Sequence, residues 1–584
     1  MAHTPLFSRL RRLATQAIPL SRRGLARASA AVVGGQALAA CSGDRGGEGD
    51  GGRVVIVGGG LAGIHCAYRL GEAGIDVVVH EAQNRIGGRT FSSSEGAPAQ
   101  MLVELGGEFI DSNHATLWAL AEELELTLDD RFSLAPTGEI FWIAGAAVDE
   151  ATILSQWMAI APAMAAMVEA ADTDDAAYEQ YDNQTLRAWL DENVPIADYP
   201  ELHTILDVAY RGEFGLESDE QSALNLLYLM DPGTLDEFHI FGESDERWHC
   251  HGGNQQFVDR MAEALGDDQL VLGSRLIAAR DSDAGNYVLT FEDQDGNTTE
   301  VVAEHVVFAL PFSVLRECDL SGLTLSDQKR QIIEELGYGT NTKVMGSFST
   351  PVWRDDFGAS GAATSDLPFQ QSWDSSIGQA GPEGILTNFL GGQAGVDAGD
   401  GTAEDWYTAQ LLPGIEQIFP GTTAAYVAGS AVRMHWPSVP THKGSYTCYR
   451  PGQWATWALE GVREGNLHFC GEHCSPDFQG WMEGAAETGG LVAMEIIDDL
   501  GGTASARHLA LVQWVTELVP HPCYHGDLAP RLRWTSRRWL LQQRFARPRP
   551  YSRRRRVSSV FGPLVVVDFF HGHARARGRG LELA

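Results

Sequence analysis

Three glycines and one acid are the first residues in this chain whose spacing implies chemistry. Gly58, Gly60 and Gly63 fall in RVVIVGGGLAGIHCAYRLGEAGIDVVVHE, residues 53–81, and the acid is the closing Glu81. Gly58 permits a sharp turn off a strand. Gly60 has no Cβ, so a pyrophosphate can reach the backbone at a helix start, where unpaired N–H groups and the helix dipole favour an anion. Gly63 lets helix and strand pack closely, and Glu81 stands where an adenosine ribose offers its hydroxyls. Holding these residues in place takes a β-branched strand, Val54 to Val57, and a second strand, Val77 to Val79. Between them runs a helix that opens with Leu61 and Ala62 and continues through Ile64, Ala67, Tyr68 and Leu70. Strand, tight turn, helix, strand is the βαβ unit of a dinucleotide-binding fold.

After Glu81 and Ala82 comes RIGGRT, in which Arg85 and Arg89 bracket two more glycines and add a second cationic, backbone-accessible site. With these motifs the sequence resembles the flavin amine oxidases, the family of monoamine oxidases, polyamine oxidases and L-amino acid oxidases, from about Arg53 to Leu500. The fold this implies is α/β: a Rossmann-like FAD-binding domain of the GR2 type, interleaved with a substrate domain of mixed sheet and helices. The resemblance further implies that Gly106, Gly107 and Glu108 pass near the flavin ring and that Leu276 lies against the adenine. By the same likeness Trp436 flanks the flavin, Gly471 and Glu472 reach its ribityl or phosphate region, and the Met482 N–H meets its pyrimidine oxygen. Catalytic roles fall on Lys343, matching a lysine that holds a water near flavin N5, and on Tyr446 and Trp481, matching an aromatic pair before the ring. Monoamine oxidases bind flavin through a cysteine just before that tyrosine. Here the position is Ser445, so the FAD is expected to be non-covalent.

The chain is expected to visit each domain more than once. FAD-binding parts are assigned to 53–113, 245–311 and 436–502, and substrate-domain parts to 114–244 (helical) and 312–435. The polar, Gly-rich segments from Ala359 to Gly401 read as loops over a sheet. Residues 503–584 are an Arg-rich tail without a core pattern, read as disorder.

Charge and targeting bound the rest. The 584 residues carry a formal net charge of −36, although residues 1–41 hold six arginines and no acid and residues 505–584 hold 15 arginines against four acids. Setting aside those +6 and +11 leaves −53 on the body, which contains all three lysines, Lys329, Lys343 and Lys443. Such a body excludes a nucleic-acid partner and fits solubility in high salt. Ser21-Arg22-Arg23-Gly24-Leu25 resembles a bacterial twin-arginine export signal, and Leu38-Ala39-Ala40-Cys41 resembles a lipoprotein cleavage box. That makes 1–41 an address, Cys41 a candidate lipid anchor, 42–52 a linker, and the protein exported to the periplasm or cell surface. No stretch holds about 18 uninterrupted apolar residues, so no spanning helix is expected; Ile153 to Val168 comes nearest, broken by Ser155, Gln156 and Pro162. Eight cysteines show no disulfide framework. The set His468, Cys470, His473 and Cys474 is read as part of the flavin motif, with no metal.

The expected reaction is oxidative deamination of an amine with O2. Glu108 and Asp111, just past the Leu105-Gly106-Gly107 turn, are expected at the substrate entrance, where carboxylates attract a cationic amine. An L-amino acid oxidase is the alternative, with Arg211 or Arg247 meeting the substrate carboxylate. An inert FAD-binding surface lipoprotein is the reading from outside enzymology.

Overall fold

The computed structural model describes residues 54–98, 101–230, 238–266, 268–502 and 504–505. The leader, the linker, Cys41 and the tail from 506 lie outside the described residues.

Val54–Val57 is the middle of a five-stranded sheet ordered Leu467–Phe469, His305–Phe308, Val54–Val57, Val77–Glu81, Leu270–Leu272. All four pairings are parallel, with Val54 opposite His305 on one side and Val77 on the other. Parallel strands are covered on both faces, which is why VVIV reads as a continuous apolar run. Helices Leu61–Glu72, Gln255–Ala262 and Met482–Asp499 bury Ile56, Val77, Val79 and Val307 on one face. A Cβ on Gly489 would stand 2.3 Å from the Ala62 carbonyl oxygen, so a glycine is what lets the last helix lie on the first. The other face, with Val55, Val57, Val306 and Phe308, packs on Leu276, Leu289 and Phe291. Those three belong to a four-stranded sheet ordered Thr298–Ala303, Tyr287–Glu292, Arg275–Asp281, Asp319–Gly322.

The substrate region is built on a seven-stranded sheet that runs from Val432–His435 through Thr342–Phe348, Gly384–Leu390, Gln371–Asp374, Ala363–Ser365 and Ile140–Ile143 to Ala146–Ala147. It is mixed: Thr342–Phe348 pairs antiparallel with both neighbours, whereas Ala363–Ser365 runs parallel to Ile140–Ile143. Three of its strands, and the helix Gly392–Asp397, come from the segment expected to be loops. Short strands separated by Gly, Ser and Asp turns hide their alternation. Gly384–Leu390 is almost wholly buried and shows no polar face.

Helices Glu150–Thr173, Asp175–Asn183, Leu186–Asn193, Pro200–Phe214 and Ala223–Met230 pack round a core of their own. The first, which contains the stretch nearest to a membrane span, is at 24 residues long and apolar enough by length and composition alone to cross one. Its interruptions do not break it: Gln156 accepts the Leu202 N–H at 3.0 Å, and Ser155 and Pro162 face outward. One stripe, Ile153, Trp157, Ile160, Ala161 and Met164, is buried in the helical core.

Candidate active site

A cavity of about 970 Å³ runs from the Gly58–Ala62 turn to the loops above the seven-stranded sheet. Its wall includes every residue expected to touch FAD except Gly63, together with Lys343, Tyr446 and Trp481. Gly63 sits behind the turn, where a Cβ would fall 2.0 Å from the Gly58 carbonyl oxygen. Gly60 is the opposite case. A Cβ there meets no protein atom within 4 Å, so its backbone lies open to whatever fills the cavity.

The polar groups of the turn hold the cradle together. Glu81 ends its strand and accepts the N–H of Gly59 at 2.7 Å and of Gln83 at 2.8 Å, leaving further lone pairs toward the cavity. Burial raises its carboxyl, against which those N–H groups and Arg85 act. Arg89 donates to the Ser445 carbonyl at 2.7 Å and to Glu472 at 2.8 Å, joining the first flavin motif to the last. Glu472 also accepts the Gly480 N–H at 2.9 Å. Burial works to raise this carboxyl, but Arg89 and its other partners hold it below the ordinary range. Helix Met482–Asp499 begins at the cavity with no side-chain cap, so its first N–H groups are available to an acceptor there. Leu276 lines the wall from the four-stranded sheet, and the Trp436 indole is fixed by its N–H on the Leu105 carbonyl at 3.2 Å. An open glycine turn, a cationic bridge and a free helix start suit an FAD.

At the other end, the Tyr446 hydroxyl donates to the Glu213 carbonyl. A Cβ on Gly480 would lie 3.3 Å from the Tyr446 ring, which ties this ring to the segment carrying Trp481. Trp481 packs edge-on against His114, with ring centroids 5.5 Å apart. The Ser445 hydroxyl is spent inside the fold, donating to Asn341 Oδ1 at 2.5 Å.

Lys343 lies within the buried strand Thr342–Phe348 and is bound by three acceptors: Glu104 O at 3.1 Å, Gly106 O at 2.8 Å and Glu108 Oε2 at 2.8 Å. Glu108 is therefore a buried ion-pair partner, 7 % exposed, rather than an entrance residue. Asp111 is not at the entrance either. It is 3 % exposed, does not line the cavity, and accepts the Glu246 N–H at 2.7 Å. Burial pushes its carboxyl up to about 6.

The acids that do face the substrate end are Glu139, Glu213, Asp245 and Glu246, none of them singled out by the sequence. Glu139 is solvent-exposed and accepts the Thr364 hydroxyl, while burial and then Asp111 bring Glu213 to about 7. Glu246 is raised well above the carboxylate range by burial and by Glu213 and Asp111. Glu246 has a left-handed backbone (φ +43°), which is costly for a non-glycine residue and recurs at functional sites. Arg211 and Arg247, expected as carboxylate binders, are paired with Asp207 and Asp130 and do not line the cavity. Arg131 does line it, over the Phe109 ring and donating to the Glu246 carbonyl at 2.9 Å.

The Cys/His set near the last motif does not converge. His473 lies edge-on against Phe312, and His468 turns to His305 and Glu495. Among the described residues, His305, His468 and Asp499 could together reach a metal. However, the 5.5 Å between the two imidazole centroids, with nitrogens 3.2 Å apart, is the separation of a straight N–H···N hydrogen bond.

The chain is 24% identical over 474 residues to pseudooxynicotine dehydrogenase of Pseudomonas sp, covering 77% of this chain and 87% of that protein. It is 26% identical to a putative flavin-containing monoamine oxidase of Mycobacterium tuberculosis (76% and 96% covered). It is 24% identical to an L-amino acid dehydrogenase of Synechocystis (76% and 94%). Cyclohexylamine oxidase from Brevibacterium oxydans shares the fold at a TM-score of 0.67 and 23% identity, over 77% of this chain and all of that one. Putrescine oxidase bound to putrescine does so at 0.65 and 22%, over 76% and 99%. Residues 61–497 match the profile of the flavin containing amine oxidoreductases; the chain belongs to that family and is an FAD-dependent oxidoreductase acting on amines.

Proposed function

We propose that this protein is an amine oxidase that deaminates a primary or secondary amine bearing positive charge, giving an aldehyde, ammonia or a smaller amine, and H2O2. The observation that carries the reading is the set of carboxylates at the substrate end, Glu139, Glu213 and Glu246. Glu139 and Glu213, where ionised, attract an ammonium and repel an amino acid's carboxylate, while Glu246, raised well above the carboxylate range, adds polar contacts rather than a full charge. FAD bound non-covalently beside Ser445 supplies the hydride acceptor. Tyr446 and Trp481 hold the substrate's C–H toward it. Glu213, brought to about 7 by burial and Asp111, is suited to take the ammonium proton, since hydride leaves from the neutral amine. The names of the fold's solved neighbours, cyclohexylamine oxidase and putrescine oxidase, support an amine.

Arg131 favours a second reading, an L-amino acid oxidase, because it is an arginine on the substrate side of the cavity. Against this, burial lowers its guanidinium, and Glu108, Glu246 and Asp374 surround it. Anaerobic mixing of the holoenzyme with putrescine, cyclohexylamine, leucine and phenylalanine decides. Bleaching of the flavin by amines alone, with peroxide formed on admitting air, supports the first reading, and bleaching by amino acids alone refutes it. Export and anchoring at Cys41 belong to the same proposal. A Cys41→Ser chain that stays in the membrane fraction would remove the anchor.

A further inference from the structure

We infer that Glu108 is a positioning residue that controls, through Lys343, how readily oxygen draws electrons from the flavin. The inference rests on FAD occupying the cavity and not on which substrate reduces it. Lys343 has three N–H bonds, and all three are committed to Glu104 O, Gly106 O and Glu108 Oε2. The ammonium thus presents neither a free N–H nor a net charge to the cavity it lines. Glu108 is itself held, since its other oxygen accepts from the Ser375 hydroxyl at 2.7 Å and Ser375 lies 2.6 Å from the Thr387 hydroxyl. The pair is therefore a clamped, buried unit.

Oxygen takes two electrons and two protons from the reduced flavin and leaves as H2O2, and the first electron gives it a negative charge. A lone ammonium nearby would stabilise that charge, and the paired carboxylate opposes it. At an effective dielectric of about 20, a carboxylate charge roughly 7 Å from a developing anion is worth on the order of 50-fold in rate. Glu108 thus acts as a brake on oxygen use. It leaves the reduced state open to other electron acceptors, such as quinones.

The test uses the FAD-loaded full chain, reduced by light under nitrogen so that no amine is needed, then mixed with oxygenated buffer. The flavin potential is measured separately against a reference dye. Glu108→Gln is expected to speed reoxidation at least about tenfold and to shift the potential positive. In a Lys343→Met background burial keeps Glu108 protonated, so Glu108→Gln should change neither readout. Reoxidation of E108Q at the wild-type rate, or an equal gain in the Lys343→Met background, overturns the inference. Should E108Q lose its FAD, Glu108→Asp keeps the charge but shortens the reach to Nζ. A smaller acceleration is then expected, and a wild-type rate overturns the inference. Failure of every amine in the substrate panel would leave these outcomes unaffected.

Discussion

Gly60 and Gly63 should separate folding from cofactor binding when each is changed to alanine. At Gly63 the added methyl lies 2.0 Å from the Gly58 carbonyl oxygen and 3.1 Å from the Ala309 Cβ. Neither is the tip of a flexible side chain, so turn and helix must part. Overpacking a core costs about 1–3 kcal/mol, and a backbone contact this short belongs at the top of that range or beyond. At Gly60 the same methyl meets no protein atom within 4 Å, and the backbone (φ −75°, ψ −179°) suits alanine. Reducing unfolded-state entropy contributes roughly 0.4–1 kcal/mol, and replacing glycine by alanine at a helix N-cap offsets it by a similar amount. The net change is near zero. The methyl nevertheless occupies the space through which a pyrophosphate would approach the N–H groups of the helix. Denaturant unfolding of both apoproteins, with FAD titration by fluorescence quenching, checks both arms. G63A should lose about 3 kcal/mol or more. G60A should unfold like the parent yet bind FAD at least about 100-fold more weakly, the value of about 3 kcal/mol of lost phosphate contact. A G60A protein with parental FAD affinity would refute the placement of the pyrophosphate.

Other perturbations have equally definite outcomes. Glu213→Gln should raise the KM of a cationic amine about tenfold at pH 8. In the parent, binding should weaken as pH falls through about 7 and Glu213 takes up its proton, and steady-state kinetics across that range should show this dependence flattened in the variant. Because the folded pKa of Glu213 is raised from 4.5, the native state holds the extra proton between the two values, so this group's contribution to stability falls as pH rises from 4.5 to about 7. Pulse proteolysis of parent and variant reads that slope. Glu472→Gln leaves Arg89 facing a neutral partner, and breaking a largely buried pair costs about 3–5 kcal/mol, visible as a lower melting temperature and faster loss of FAD on gel filtration. Trp157→Ala should cost about 3–5 kcal/mol, whereas Met158→Ala, at a side chain 55 % exposed, should change stability by less than about 0.5 kcal/mol. Equal effects in chemical unfolding would mean that the long apolar helix does not pack as described.

What could be read beforehand was whatever chemistry is written in adjacent residues. The glycine turn, Glu81, Arg89 and the Gly471–Met482 segment are local patterns, and all of them reach one cavity wall. Legibility failed where a role depends on a partner far along the chain. Glu108 looked like an entrance acid because its neighbour Lys343 is a strand away in another domain. Glu139, Glu213 and Glu246 come from a loop, a helix end and a strained turn, and no spacing rule links them. The strands within 359–401 escaped notice because a strand buried on both faces loses its alternation, and short ones are masked by turn residues. The long helix was legible as one of the helices of 114–244, because Gln156 and Pro162 interrupt its apolar run without interrupting the helix.

The central strand has a consequence for how the chain is made. Val54–Val57 is synthesised early, yet the neighbours that close the sheet beside it, His305–Phe308 and then Leu467–Phe469, leave the ribosome far later. Until then four β-branched residues wait without their final hydrogen-bond partner, and pairings this distant in sequence are slow to form. Newly made chains are thus exposed to wrong strand partners for most of their synthesis. Chaperone supply and growth temperature, more than the strength of the finished fold, should govern the yield of active protein.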